Sequence, residues 1–425
     1  MGSDYRAMWR DLGLDLEAHD QLLAGLGEGY REIFLGQPKR PAGMVYFDQV
    51  ISEIHGARVA ELLAARVAGR KVIGSFCVFV PEEIVLAADA VLVGLCTGAD
   101  FALDRVEEYL PRSTCALIKS AFGFKLSRVC PFLEAADMVV GENTCDGKKK
   151  GYEQLAKLLP NLYVMDLPQQ KTAAGRELLR AEYRKFKEAV EELCGVTITS
   201  DRLRKGIEIV NRKRGALARL ARLRAADPAP ISGLDALLIN QVAFYDEPVR
   251  FTGAVNRLCD ELEERVRRRE GVFPAGRPRV LLSGCPMAIP NWKLPVLIEG
   301  AGAVVVGEEA CVGERGWRHP VASSAADLDT LLESIVERYF QIDCAIFTPN
   351  PERERHIFEM AAAYRAAGVI HYSLQFCQPY MIEALTIKPR LREDSLPCLA
   401  VETDYGQEDM GQLQTRIEAF IEMLS

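Results

Sequence analysis

Apolar residues along the chain follow two rhythms. Long stretches place them three and four apart, as amphipathic helices do; between these lie short unbroken branched-apolar runs, as in strands buried on both faces. Residues 1–45 read as helical and polar, ending at Pro38 and Pro41. A helix over 48–69 follows, with Asp48 as its N-cap and Val50, Ile51, Ile54, Val59, Leu62 and Leu63 as its apolar face. Strands are predicted at 71–79, 91–95, 138–140 and 162–167, with helices opening at 81–83, 113–115 and 130–131 and another over 148–159. Strand, helix, strand in this order is a right-handed parallel arrangement.

Residues 172–270 are charged and helical, broken at Asp227-Pro228-Ala229-Pro230. Strands resume at 280–283, 303–306, 344–347 and 369–376, with helices over 292–300, 326–339 and 352–367. The expected fold class is α/β: two flavodoxin- or Rossmann-like parallel-sheet domains related by an internal repeat. The expected divisions are a helical N-terminal segment at 1–45, a first α/β domain at 46–172, a helical linker region at 173–272 and a second α/β domain at 273–425.

The repeat is visible in the loops. Val139-Val140-Gly141-Glu142-Asn143-Thr144-Cys145-Asp146-Gly147 reappears as Val305-Val306-Gly307-Glu308-Glu309-Ala310-Cys311-Val312-Gly313. Each copy is a branched apolar run, a Gly that ends it, and a loop carrying a Cys. Cys130-Pro131 and Cys285-Pro286 echo each other upstream. Two related domains presenting thiols at equivalent places are expected.

The 425 residues exceed what one core comfortably organises, which supports two domains. A net charge of -8 argues against nucleic acid or an anionic membrane as the main partner. No apolar run is long enough to span a bilayer, and Met1 to Asp20 has no signal-like apolar core, so a cytoplasmic protein is expected. Twelve cysteines in a reducing compartment are not a disulfide framework. Metal or iron–sulfur ligation is the alternative to simple packing.

Cys96, Cys145, Cys285, Cys311 and Cys377 fall just beyond the carboxyl ends of predicted parallel strands, the edge at which open α/β sheets bind ligands. Cys115 falls in a first helical turn, where the macrodipole favours a thiolate. No two cysteines have the close spacing of structural zinc sites, and the ferredoxin run is absent, so any site must be assembled by the tertiary fold. Cys77 reads as strand packing, Cys194 and Cys259 as structural, and Lys148 to Lys150 as a solvated helix face. The histidines form no ligand-like pair, no Ser/His/Asp or Cys/His set is evident, and no Walker A motif is present.

Thr114-Cys115-x-Leu117-Ile118-Lys119-Ser120-x-Phe122-Gly123, Cys130-Pro131 and Glu142-Asn143-Thr144-Cys145-Asp146-Gly147-Lys148-Lys149-Lys150 together resemble the 2-hydroxyacyl-CoA dehydratase / benzoyl-CoA reductase superfamily. Ser283-Gly284-Cys285-Pro286-Met287, Cys344-x-x-Phe347-Thr348-Pro349-Asn350 and Phe376-Cys377-x-Pro379-Tyr380 extend the resemblance, which runs from about residue 45 to 390. The wealth of thiols is most similar to the double-cubane cluster proteins of that superfamily.

The resemblance implies one [4Fe–4S] cluster on Cys115, Cys145 and Cys377, or a double-cubane [8Fe–9S] cluster held by six cysteines. For the second cubane it directs attention to Cys130, Cys311 and Cys344, with Cys285 and Cys96 in reserve. It further implies a homodimer, a separate ATP-hydrolysing [4Fe–4S] reductase as electron donor, and reduction of small molecules at an open iron site. The alternatives are a [4Fe–4S] subunit of a 2-hydroxyacyl-CoA dehydratase or acyl-CoA reductase, with a second subunit, and a non-catalytic electron carrier or cluster-delivery protein.

Overall fold

The computed structural model describes residues 5–95, 97–100 and 103–425. Two four-stranded parallel sheets organise it. The first contains β1 (Val72–Ser75), β2 (Val91–Gly94), β3 (Met138–Glu142) and β4 (Leu162–Met165), in spatial order β2-β1-β3-β4. The second contains β5 (Arg279–Gly284), β6 (Val304–Glu309), β7 (Gly368–Leu374) and β8 (Cys398–Thr403), in spatial order β6-β5-β7-β8. Both follow the flavodoxin-like order, which reverses direction beside its first strand and leaves a ligand crevice there. The expected fold class stands.

The register of the repeat differs from the sequence echo. The V-V-G-E pattern belongs to β3 and β6, but β3 is an inner strand of its sheet and β6 an edge strand. By topology, β1 corresponds to β5, β2 to β6 and β3 to β7. The echo marks a shared local demand, a buried strand ending in a thiol loop, rather than shared position.

Other elements shift for local reasons. The helix expected over 48–69 is two helices, Met44–Ser52 and Ala57–Val67. Asp48 is therefore inside a helix, and its carboxylate accepts from Tyr30 and Arg40 rather than capping. The strand expected at 71–79 leaves the sheet after Ser75. Residues 344–347 form turns, not a strand, and lead into a cis Thr348-Pro349 peptide. The fourth strand is instead β8, whose half-exposed start hides it from an apolar-run reading.

Long helices Ala173–Cys194, Ser200–Leu223 and Pro248–Arg267 pack around the sheets, and Gly233–Val242 between them is buried along its whole length. One continuous apolar core joins Val72 and Val139 of the first sheet to Val280 and Ile370 of the second. The N-terminal helices, Arg6–Asp11 and Leu16–Tyr30, lead to Phe34, which meets Trp292 edge-on at 5.0 Å between ring centroids. No helix among the described residues is long and apolar enough to cross a membrane.

Candidate functional site

The carboxyl ends of the two sheets face each other. Residue 98 sits so close to the opposite loop that a Cβ there would lie 2.3 Å from the carbonyl oxygens of Ala288 and Ile289, so the position requires Gly98. The Ala116 N–H donates to the Gln375 carbonyl at 3.4 Å, and the Thr348 N–H to the Gln169 carbonyl at 3.0 Å. Between the edges lies a cavity of about 120 Å³, lined by Cys77, Cys115, Cys145, Cys285, Cys311, Cys344 and Cys377. All seven are free thiols.

Six of the seven thiols are delivered by a strand end or a helix start, and Cys344 by the turns at 344–347. Cys77 follows β1, Cys145 follows β3, Cys285 follows β5, Cys311 follows β6 and Cys377 follows β7. Gly284 has a φ of +132°, and a Cβ there would lie 1.9 Å from the Tyr372 carbonyl oxygen; only glycine permits this turn of Cys285 into the cavity. The Leu374 N–H then donates to the Cys285 sulfur at 3.3 Å.

Cys115, Cys145 and Cys377 are the N-caps of helices Ala116–Leu126, Asp146–Leu155 and Gln378–Glu393. Three helix N-termini thus aim their free N–H groups at one region, which favours negative charge there. Backbone N–H groups of Leu117 and Ile118 reach Cys115, those of Gly147 and Lys148 reach Cys145, and that of Tyr380 reaches Cys377. The thiols nevertheless lie high. Bonding to Cys377 and burial push Cys115 well above the ordinary range, and burial raises Cys145. Cys377, though its bond to Cys115 favours the thiolate, is carried up by its bond to Cys285 and by burial. These three thiols also border a groove of about 950 Å³.

Cys77, Cys311 and Cys344 form a second set. The Cys77 and Cys311 thiols act on each other: Cys77, helped by the Arg315 guanidinium and opposed by burial, brings Cys311 down, while Cys311 and burial push Cys77 up. The Arg315 Nη1 donates to the Cys311 sulfur at 3.5 Å, and the Cys344 sulfur lies 3.7 Å from the Tyr380 hydroxyl.

Of the residues singled out from the sequence, Cys115, Cys145, Cys311, Cys344, Cys377 and the reserve Cys285 come together here. Cys130 does not line the cavity; it is the N-cap of the short helix Pro131–Ala135, before the amino end of β3. The other reserve, Cys96, lies outside the described residues. Cys194 and Cys259 are on helices away from the cavity. Two lining residues run against expectation. Cys77 is in the cavity wall rather than in a strand, and the Lys148 side chain, only 11% exposed, lines it while Lys150 is exposed. The helical linker region contributes Gln241, Phe244 and Tyr245 to the wall.

Next to the second thiol set, ligand atoms of Glu309, Asp343 and His356 lie within 4.8 Å of one another. Arg315 and Arg353 both pair with Glu309, and Arg315 also with Asp343, so these carboxylates are already neutralised. The cluster is an ion-pair network rather than a vacant metal site. Burial works against the His356 proton, but the hydrogen bond to Asp343 and the Glu314 carboxylate 3.6 Å away raise His356 to about 9.

The cavity's donor set fits an iron–sulfur group. Its wall offers seven sulfurs and, among the described residues, no histidine ring and no carboxylate, which is the soft-ligand choice for iron–sulfur. The remaining wall is mostly apolar, including Ile118, Phe244, Ile289 and Leu374.

Residues 77–424 match the family profile described as 2-hydroxyglutaryl-CoA dehydratase, D-component. The chain is 39% identical over 384 residues to the YjiM protein of Escherichia coli (strain K12), covering 89% of this chain and 97% of that protein. It is 26% identical over 360 residues to the (R)-phenyllactyl-CoA dehydratase beta subunit of Clostridium sporogenes, covering 84% and 92%. It is 23% identical over 351 residues to a benzoyl-CoA reductase subunit of Thauera aromatica, covering 81% and 88%. With the thiol-lined cavity between its two sheets, the chain belongs to the 2-hydroxyacyl-CoA dehydratase / benzoyl-CoA reductase superfamily.

Proposed function

We propose that the protein is an iron–sulfur oxidoreductase whose thiol cage holds a double-cubane [8Fe–9S] cluster. The observation that carries this reading is the convergence of seven thiols from both sheets on one cavity. Cys115, Cys145 and Cys377 would hold one half, and Cys77, Cys311 and Cys344 the other. Cys77 thus takes the place the sequence reading gave to Cys130, and Cys285, a free thiol in the same wall, stays in reserve. When bound, the cluster would supply low-potential electron transfer and an open iron position for a small molecule. The chain's own part is to orient the sulfurs through three helix N-termini, to wall the site with apolar side chains that exclude water, and to join the two halves across the sheet edges.

Electrons would come from a separate ATP-hydrolysing [4Fe–4S] reductase, in a reducing cytoplasm, and the protein would work as a homodimer. A second reading is favoured by the names of two relatives, one a dehydratase beta subunit and the other part of a reductase. It is a [4Fe–4S] subunit of an acyl-CoA-converting enzyme, with Cys115, Cys145 and Cys377 as its only iron ligands.

Iron and acid-labile sulfide per chain, measured on protein purified without oxygen, separate the readings. About eight irons with about nine sulfides support the double cubane, and about four irons support the second reading. A protein that takes up no iron on reconstitution refutes both.

A further inference from the structure

Two cations, Arg315 buried and Lys148 largely so, stand against the thiols. Arg315, with a side chain 0% exposed, pairs with Glu309 and, through Nε at 3.3 Å, with Asp343 Oδ1. Its Nη1 donates to the Cys311 sulfur at 3.5 Å and to the Tyr380 hydroxyl at 2.6 Å, and that hydroxyl lies 3.7 Å from the Cys344 sulfur. One guanidinium thus reaches two thiols of the second set, one directly and one through a tyrosine.

Lys148 comes from the other sheet's side, in the first turn of helix Asp146–Leu155, and lines the same cavity. Its nearest carboxylate, Glu142 Oε2, is 3.6 Å from Nζ, longer than a hydrogen bond. Both carboxylate oxygens of Glu142 and the Tyr152 hydroxyl are buried with no hydrogen-bond partner. A structural ion pair alone accounts poorly for this arrangement, because a buried pair repays its desolvation only with close, well-satisfied geometry. An ammonium held beside thiols has an electrostatic use when the sulfurs carry charge.

We infer that Arg315 and Lys148 set the reduction potential of the iron–sulfur group through the thiol set of Cys77, Cys311 and Cys344. The inference rests on the iron–sulfur reading above. Each electron accepted from an external low-potential reductant adds one negative charge inside a low-dielectric cavity, and no bond is made or broken. A cation fixed beside a ligand sulfur stabilises that added charge and raises the potential, as do N–H and O–H groups donated to sulfur. Arg315 and Lys148 are positioning residues acting through the sulfurs.

The test is the midpoint potential of the cluster-loaded protein, titrated with a low-potential chemical reductant and read by electron paramagnetic resonance, with iron counted on every sample. Lys148→Met and Arg315→Met should keep the wild-type iron count and titrate at more negative potential. Arg315→Lys, which keeps the charge, should return toward wild type. Lys150→Met, which removes a cation 71% exposed on the same helix, should not shift. Should Arg315→Met fail to fold, Lys148→Met and the charge-balanced Lys148→Met/Glu142→Gln carry the test. Loaded variants at wild-type potential, or an equal shift in Lys150→Met, overturn the inference while leaving the cluster reading intact. A wild-type protein that takes up no iron overturns both.

Discussion

Cys77 and Cys311 follow strands of different sheets, yet their thiols line one cavity and each shifts the other's titration. Their shared cavity wall brings the first strand of one sheet next to an edge strand of the other. With Cys344 they make three further thiols in the cavity wall, none of them Cys130.

The first prediction follows from that arrangement. Cys77→Ser should cost about half of the cluster iron, and Cys130→Ser should keep all of it. Iron and sulfide counts on anaerobically purified variants decide the matter. Loss of iron from Cys130→Ser with full loading of Cys77→Ser would reverse the assignment.

The outer thiols give a second contrast. Cys145 caps a helix at the cavity, whereas Cys194 ends a helix elsewhere. Cys145→Ser should lose cluster iron and Cys194→Ser should not. On the double-cubane reading, Cys344→Ser should retain about half, because the other half would keep its ligands. An unchanged count in Cys344→Ser would pass its role to Cys285.

These contrasts show where a linear reading reaches its limit. Strand ends carrying Gly and a thiol were legible, because a buried parallel strand needs an unbroken apolar run and a sharp exit. Cys77 was not: the run Val72-Ile73-Gly74-Ser75-Phe76-Cys77-Val78-Phe79 stays apolar after the chain has left the sheet at Ser75. The turn at 344–347 misleads in the same way, since buried turns beside a cavity can be as apolar as strands. Lys148 was hidden in a run of three lysines, and only the tertiary fold shows that its first member points inward. Arg315 carried no signal at all, because its value lies in Cys311, Glu309 and Tyr380, brought to it from the end of β6, the turn after it and one helix.

His356 gives a pH-dependent expectation. It is hydrogen-bonded to Asp343 at 2.7 Å, Glu314 lies 3.6 Å away, and Glu309 adds further negative potential, while His319 stands nearby. Burial opposes its charge, yet these partners raise it from 6.5 to about 9. Folding therefore binds this proton more tightly than the unfolded chain does. The stabilisation is full below pH 6.5 and is lost as pH rises through about 9. Its size is on the order of 3 kcal/mol. The apoprotein's unfolding midpoint should fall across that window, and His356→Gln should flatten the fall. An equal slope in the variant would remove His356 as the cause.

The last prediction concerns the joint between the long helices and β6. Arg224, at the end of helix Ser200–Leu223, reaches both carboxylate oxygens of Glu308 at 2.6 Å and the Val305 carbonyl at 3.0 Å. Its side chain is 4% exposed and that of Glu308 1%. A buried charge left alone costs far more than the pair contributes, because its partner's field no longer offsets the lost hydration. Arg224→Met should therefore destabilise the apoprotein by about 3–5 kcal/mol. Adding Glu308→Gln removes the stranded charge and should recover much of that loss. Chemical denaturation of the two variants beside wild type checks this. A double variant no more stable than the single one would mean that the Arg224 contact with Val305 and its packing, rather than the charge on Glu308, hold this joint.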